Sequence, residues 1–159
     1  MNKKVSFKKR ILIYFSVIIA AFTVGIIIFE QNQIKKERTS SLERTLENNA
    51  DIIYSFIQKN NISSQYDQEA ITEQLSYMPT ELRMTMISWD GEVLFDNLLE
   101  SDKMENHLQR PEIQKTIGFG SGSNIRISKS NNIEYLYFAK EYKEGFFIRM
   151  ALPYDVDLR

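Results

Sequence analysis

"LRMTMISWDGEVLFDN", residues 82–97, is where the chain changes its hydrophobic period. Upstream, Leu42, Leu46, Ala50, Ile53 and Ile57 recur at spacings of three and four, which is one face of a helix. Neither Pro nor Gly interrupts residues 30–60. "QEAITEQLSYM" (68–78) predicts a second, shorter helix closed by Pro79. Past Pro79 apolar residues alternate, and residues 82–89 read as a strand. Asp90-Gly91 is a strong two-residue hairpin signal, with both turn positions expected at positive φ. "EVLFDN" then returns as the partner strand.

Downstream, Asp102 and Glu105 form a capping-box pattern, which predicts a short helix from Lys103 that ends by Arg110. Pro111 opens the next helix, "PEIQKTI", with Gly118 as its C-cap. "GFGSGS" (118–123) reads as a flexible connection. Three strands follow, at 124–130, 133–142 and 146–154. Asn131-Asn132 suits the first turn between them, and Lys143-Glu144-Gly145 suits a three-residue hairpin. The expected class is α+β: a five-stranded antiparallel sheet with flanking helices. Leu136 and Phe138 point away from Tyr135 and Tyr137, so both sheet faces need cover. The long helix serves one face and the 102–118 segment the other.

The first ten residues carry Lys3, Lys4, Lys8, Lys9 and Arg10. Residues 11–29, "ILIYFSVIIAAFTVGIIIF", carry no charge. As a helix they span about 28 Å, close to the hydrocarbon core of a bilayer. The segment is too long for a cleaved signal and lacks a small-residue cleavage site, so it reads as a retained anchor. The basic flank places residues 1–10 in the cytoplasm and residues from about 30 onward outside the membrane. Residues 30–60 then form a stalk running into the long helix, and residues 61–159 the extracytoplasmic domain. Positions 42, 46, 49, 53 and 56 also fit a short heptad seam with Asn49 inside it. Packing on the chain's own domain and a dimer contact both stay open for this helix.

With no cysteine there is no disulfide, no thiolate metal site and no thiol chemistry. A net charge of −1 gives no global field for nucleic acid. The one histidine, His107, has no second imidazole beside which to build a catalytic or metal cluster. "GFGSGS" lacks the Lys-Ser/Thr of a phosphate-binding loop. No catalytic residue, metal ligand or resident cofactor is expected.

"WDGEVLFDN", "MENHLQRPEI" and "YLYFAKEYKEGFFIRMALPYDV", taken with the preceding anchor and long helix, resemble a known family. It is the extracytoplasmic sensor region of membrane histidine kinases of the phosphate-regulon sensor type. The resemblance covers Leu82 to about Asp157, and the anchor and stalk by topology only. It implies a PAS-like, Cache-type fold, a homodimer in the cytoplasmic membrane, and output to a cognate response regulator. In that family a second membrane helix and a kinase domain with ATP and Mg would follow, whereas the chain stops at Arg159. It is therefore expected to be the N-terminal piece of a longer protein. Two alternatives remain: the sensor module of a chemoreceptor or cyclic-dinucleotide enzyme, and a single-span anchored binding or scaffold module.

"NHLQRPEI" differs from a phospho-acceptor motif: proline lies four residues after the histidine, and no glutamate adjoins it. Asn106, His107, Arg110 and Pro111 read first as a structural brace across the sheet, with His107 near the C-terminal end of its short helix. A ligand- or pH-sensing role for His107 is the second reading. Arg126, Tyr135, Tyr137 and Asp96 are the candidate small-molecule contacts, since an Arg among tyrosines suits a carboxylate or phosphate. Trp89 reads as packing.

Overall fold

The computed structural model describes residues 6–60, 68–128 and 132–154. The chain divides into two compact units, Met1–Arg38 and Thr39–Arg159.

In the first unit, residues 7–38 belong to helix α1 (Phe7–Lys59). The apolar segment is exposed along its length, and the helix is long and apolar enough to cross a membrane. Within it the Thr23 hydroxyl donates to the Ile19 carbonyl at 2.9 Å, so this polar group is satisfied inside its own helix.

The second unit holds the rest of α1, α2 (Gln68–Ser76) and a sheet of β1 (Arg83–Ser88), β2 (Val93–Asp96), β3 (Ser121–Ile127), β4 (Glu134–Tyr142) and β5 (Phe146–Pro153). Helix α3 (Pro111–Phe119) lies between β2 and β3 in sequence. The strand order is β2-β1-β5-β4-β3, and every pairing is antiparallel. The class is the α+β arrangement expected. The last strand lies at the sheet centre, so β5 is buried nearly end to end.

One face of the sheet carries Met84, Met86, Leu136, Phe138, Ile148 and Met150. Against it lie Leu46, Ala50, Ile53 and Ile57 of α1, and Ile71 and Leu75 of α2. The 3.6-residue stripe is therefore spent within its own domain, where each fully buried Ile or Leu contributes about 1.5–3 kcal/mol. Leu46 and Ile53 of the heptad reading are buried there. A polar belt seals the seam. Lys140 donates to Glu47 at 3.0 Å and to Asp51 at 2.9 Å, and the Tyr142 hydroxyl donates to Asp51 at 2.8 Å. Tyr142 stacks on Tyr54 with ring centroids 4.1 Å apart.

The opposite face has a small apolar patch, Ile87, Ala139 and Phe147, packed with Ile113 of α3. Trp89 stacks on Phe147, in keeping with a packing role. The rest of this face is polar and holds the site described below.

Several local expectations are corrected. Ser88 pairs with Glu92, and the Gly91 amide donates to the Ser88 carbonyl, so the turn is a three-residue one centred on Trp89-Asp90. Only Gly91 takes positive φ, at 90°. A hydrogen bond from the Ser88 hydroxyl to Asp90 holds that geometry and keeps the Asp90 pKa low. No helix covers 103–110. A single 3-10 turn (Ser101–Lys103) is followed by irregular chain: the His107 amide donates to the Gly91 carbonyl of the hairpin, and a turn closes with the Arg110 amide on the His107 carbonyl. Asp102 sits inside that turn and does not cap it. Gly120, at φ 82°, caps α3 in place of Gly118. The "GFGSGS" segment is not a loose connection: β3 begins at Ser121. A Cβ on Gly122 would lie 2.5 Å from Lys115 Cβ and 2.7 Å from the Glu112 carbonyl, so the glycine allows α3 to sit against the strand. The end of the expected third strand, at 129 and 130, and Asn131 of the expected turn lie outside the described residues. The Lys143-Glu144-Gly145 hairpin is present, with Gly145 at φ 80°.

Candidate functional site

Alternation along three strands sends Arg83 and Thr85 of β1, Arg149 of β5 and Tyr137 of β4 to the same face. Thr85 is the register partner of both Asp96 and Arg149. Its hydroxyl accepts from Arg149 Nη2 at 2.9 Å and donates to Asp96 Oδ2 at 2.8 Å. Arg83 Nε donates to the same Asp96 oxygen at 3.1 Å. The other Asp96 oxygen accepts the backbone amides of Leu98 and Leu99. Past Arg149, Glu112 Oε1 accepts from Arg149 Nη1 at 3.5 Å and from Arg126 Nη2 at 3.2 Å. The result is a continuous line, Arg83–Asp96–Thr85–Arg149–Glu112–Arg126, running across the sheet.

Most of this line is out of water. Glu112 and Thr85 are fully buried, and Arg149 is 2% exposed. Three guanidiniums face two carboxylates, which leaves one positive charge unmatched within the line. Burial, then the neighbouring Arg83 and Arg126, lower the Arg149 pKa to about 10 despite Glu112, so it stays charged at neutral pH. Glu112 Oε2 and Arg126 Nε are buried without a hydrogen-bond partner among the described residues. Such groups are costly to leave unsatisfied. The Tyr137 ring lies under both guanidiniums that share Glu112, 4.0 Å from the guanidinium carbon of Arg126 and 5.3 Å from that of Arg149. Rings at these distances attract a cation through their quadrupole.

The brace covers this line. The Asn106 side chain donates to the Asp90 carbonyl and accepts the Leu108 amide, both at 2.8 Å. The His107 amide donates to the Gly91 carbonyl at 2.8 Å. Arg110 is the N-cap residue of α3, and Pro111 is in its first turn. His107 therefore does not sit at a helix C-terminus. Its ring is held at Nδ1, which lies 2.6 Å from the Glu105 carbonyl. A carbonyl only accepts, so Nδ1 carries the proton and Nε2 keeps its lone pair. Burial and the charge of Arg149 lower the His107 pKa to about 4. The imidazole is neutral at pH 7.

Between brace and sheet is a cavity of about 190 Å³. Arg83, His107, Arg110, Arg126, Tyr137 and Arg149 line it together with Leu99, Ser128 and residues 103–105, which include the carboxylate of Glu105. Of the four contacts expected from sequence, Arg126 and Tyr137 line this space. Tyr135 is beside Tyr137, 6.0 Å away between ring centroids, and outside the lining. Asp96 is committed to Arg83 and Thr85 and borders a larger open groove of about 810 Å³ between α2 and residues 95–101. Asp96 is the one buried charged residue that lines that groove. Sequence reasoning passed over Arg83, Thr85, Glu112 and Arg149. A signal was present: Arg149 interrupts the apolar run "FFIRMAL", and a charge at the centre of a buried strand requires partners.

The family model described as "RYDR_ITPR: RIH domain" matches residues 8–138, and the chain belongs to that family. The match ends within β4 and leaves out β5, the central strand that supplies Arg149. No curated protein matches the chain. Among solved structures it is similar to the Bacillus subtilis YkuI protein with an EAL domain, solved in complex with substrate c-di-GMP and calcium, at 13% identity and a TM-score of 0.54. That alignment covers 98% of this chain, which spans 40% of the length of the YkuI protein, and the likeness shows a shared fold. A Cache chemosensory domain described for carboxylic acid recognition aligns over 77% of this chain and 95% of its own, at 8% identity and a TM-score of 0.47. The extracellular domain of the histidine kinase rpHK1S-Z16 aligns over 55% of this chain and 37% of its own, at 10% identity and a TM-score of 0.45.

Proposed function

We propose that this chain, a member of the RIH-domain family with a five-stranded antiparallel sheet, is the signal-input part of a membrane-bound sensor histidine kinase. The observation that carries the reading is the 190 Å³ charged cavity on the sheet face opposite α1. A stimulus received there bears on β4 and β5, and the other side of those strands packs on α1 residues 46–57. Helix α1 also contains the apolar span. In this reading residues 1–10 are cytoplasmic and the sheet domain is periplasmic or extracellular.

Small-molecule sensing of this kind requires that the ligand prefer one arrangement of helix and sheet over another. A homodimer, a phosphate-regulon type of kinase output using ATP and Mg, and a cognate response regulator belong to the same proposal. The test is to obtain the coding sequence beyond Arg159 and reconstitute the complete protein in membranes. A second apolar span and a phospho-acceptor helix are expected, with autophosphorylation altered by Arg149→Met in the cavity. A coding sequence that supplies a chemoreceptor or cyclic-dinucleotide output, or none, overturns the kinase reading.

A further inference from the structure

Helix α1 enters the second unit at Thr39. The Thr39 hydroxyl lies 2.7 Å from that of Tyr154, the residue after β5. The Tyr154 amide donates to the Glu134 carbonyl at the start of β4, and Glu134 pairs with Ile127 at the end of β3. β1 begins at this end too, since Arg83 pairs with Ala151. The entry of α1, the end of β5, the β3–β4 connection and the start of β1 therefore share one end of the domain.

This end is apolar where it meets solvent. Nine large apolar side chains are exposed among the described residues of the second unit, and five of them lie here. Ile127 and Ile133 flank the β3–β4 connection, and Ile133 stands one residue beyond the level of Glu134 and Tyr154. Leu98 and Leu99 follow β2, their amides held by Asp96 Oδ1. Tyr77, 78% exposed, lies between α2 and β1. Single exposed apolar residues are ordinary, but their collection at one end requires a cause. Trp89 and Phe119 lie at the opposite end, where Ser88 pairs with Phe146 and the Glu141 amide donates to the Gly120 carbonyl.

Their layout indicates what covers them. β2 and β3 are the two outer strands, so Leu98 and Ile127 stand near opposite edges of the sheet, roughly 19 Å apart at four strand spacings. A protein partner needs one continuous patch, whereas a broad plane touches projections on both sides of the point where α1 enters. The chain also bounds the distance to such a plane. Thr39 is ten residues past Phe29, the last of the apolar segment, and ten helical residues reach about 15 Å. The polar layer outside the hydrocarbon core takes up roughly 5–8 Å of that reach.

We infer that this end of the domain is a lipid-contacting face, with Tyr77, Leu98, Leu99, Ile127 and Ile133 seated against the headgroup layer of the bilayer that residues 11–29 cross. Tyrosine and aliphatic side chains suit that layer, where apolar surface leaves water without entering the hydrocarbon core. The bilayer surface then supports the domain at both sheet edges, in addition to α1. The inference rests on the membrane-anchored part of the reading above and not on a kinase output.

The chain has no cysteine, so single cysteines can be introduced and labelled with an environment-sensitive fluorophore. The full chain is placed in phosphatidylcholine nanodiscs with and without a nitroxide on the lipid headgroup. Leu98→Cys and Ile127→Cys probe the face, Phe119→Cys the far end, and Phe29→Cys the end of the apolar segment. Each replaces an exposed side chain, which spares the fold, and the native emission of Trp89 stacked on Phe147 reports that fold. The expected result is blue-shifted emission, mostly lost to the nitroxide, at positions 98, 127 and 29, with neither change at 119. Quenching at 29 while 98 and 127 behave like 119 overturns the inference and leaves the anchor standing. A blue shift at 98 and 127 without quenching means that a second copy or another protein covers this end, and it also overturns the inference. No quenching at 29 overturns the anchor itself, and the inference with it.

Discussion

The backbone amide of His107 donates to the carbonyl of Gly91 at 2.8 Å, which ties the brace to the tip of the first hairpin. Gly91 sits at φ 90° beneath that brace. A Cβ there would lie 2.3 Å from Asn106 Oδ1 and 2.6 Å from the Leu108 amide nitrogen. Gly91→Ala therefore combines left-handed backbone strain with a backbone clash. It should cost about 2–4 kcal/mol, as such special-φ substitutions do when the backbone must move. Urea unfolding of the chain in detergent should show a lowered midpoint, and a variant as stable as wild type would mean the brace is not seated on the hairpin.

Glu112 and Arg149 form a buried pair at 3.5 Å; removing Glu112 leaves Arg149 without a carboxylate, and removing Arg149 leaves Glu112 with the partly exposed Arg126 alone. Glu112→Gln and Arg149→Met should each destabilise the domain by about 3–5 kcal/mol. The double variant should lose less than the sum of the two, because the second substitution removes a charge already orphaned. A double-mutant cycle by urea denaturation measures this, and strict additivity would show that the two groups do not act as a pair.

His107 predicts a pH dependence with a definite sign. Its folded pKa, about 4, is below the ordinary 6.5. The unfolded chain thus binds the proton more readily than the folded one. The stabilisation is fully present above pH 6.5 and is lost as pH falls from 6.5 toward 4, to a total of about 3 kcal/mol. His107→Gln should flatten the stability profile between pH 6.5 and 5, a window above most carboxylate titrations. An unchanged slope in that variant would place the pH response elsewhere.

Lys140 and Tyr142 link β4 to α1 through Asp51. Burial works against the Lys140 charge, yet the bonds to Asp51 and Glu47 outweigh it and raise its pKa. Burial and the bond to Asp51 raise that of Tyr142. Tyr142→Phe removes one hydrogen bond and keeps the Tyr54 stack, so it should cost about 1 kcal/mol. Lys140 is partly exposed, and Lys140→Met should cost less than 1 kcal/mol and lose its effect in high salt. Thermal melts at two salt concentrations check both, and a salt-independent loss for Lys140→Met would show that its aliphatic stem, and not its charge, holds the seam.

Local pattern carried much of the architecture. The stripe Leu46, Ala50, Ile53, Ile57, the alternation in residues 82–97 and the glycine at 145 each act over a few residues, so helix, strand and hairpin were legible in the sequence itself. The apolar span was legible for the same reason. Asp102 and Glu105 suit a cap and so suggest a helix over 103–110, whereas the Asn106 side chain and the His107 amide there donate to the carbonyls of Asp90 and Gly91, more than a dozen residues upstream. Half of the expected ligand contacts, Arg126 and Tyr137, meet in one cavity, and Asp96 does not join them because Arg83 and Thr85 claim it. The line from Arg83 to Arg126 draws on β1, β2, β5, α3 and β3, and no spacing along the chain encodes which charge meets which. Burial in a low-dielectric interior forces those pairings, and only the folded sheet brings Arg126, Arg149 and His107, far apart in the chain, to one cavity.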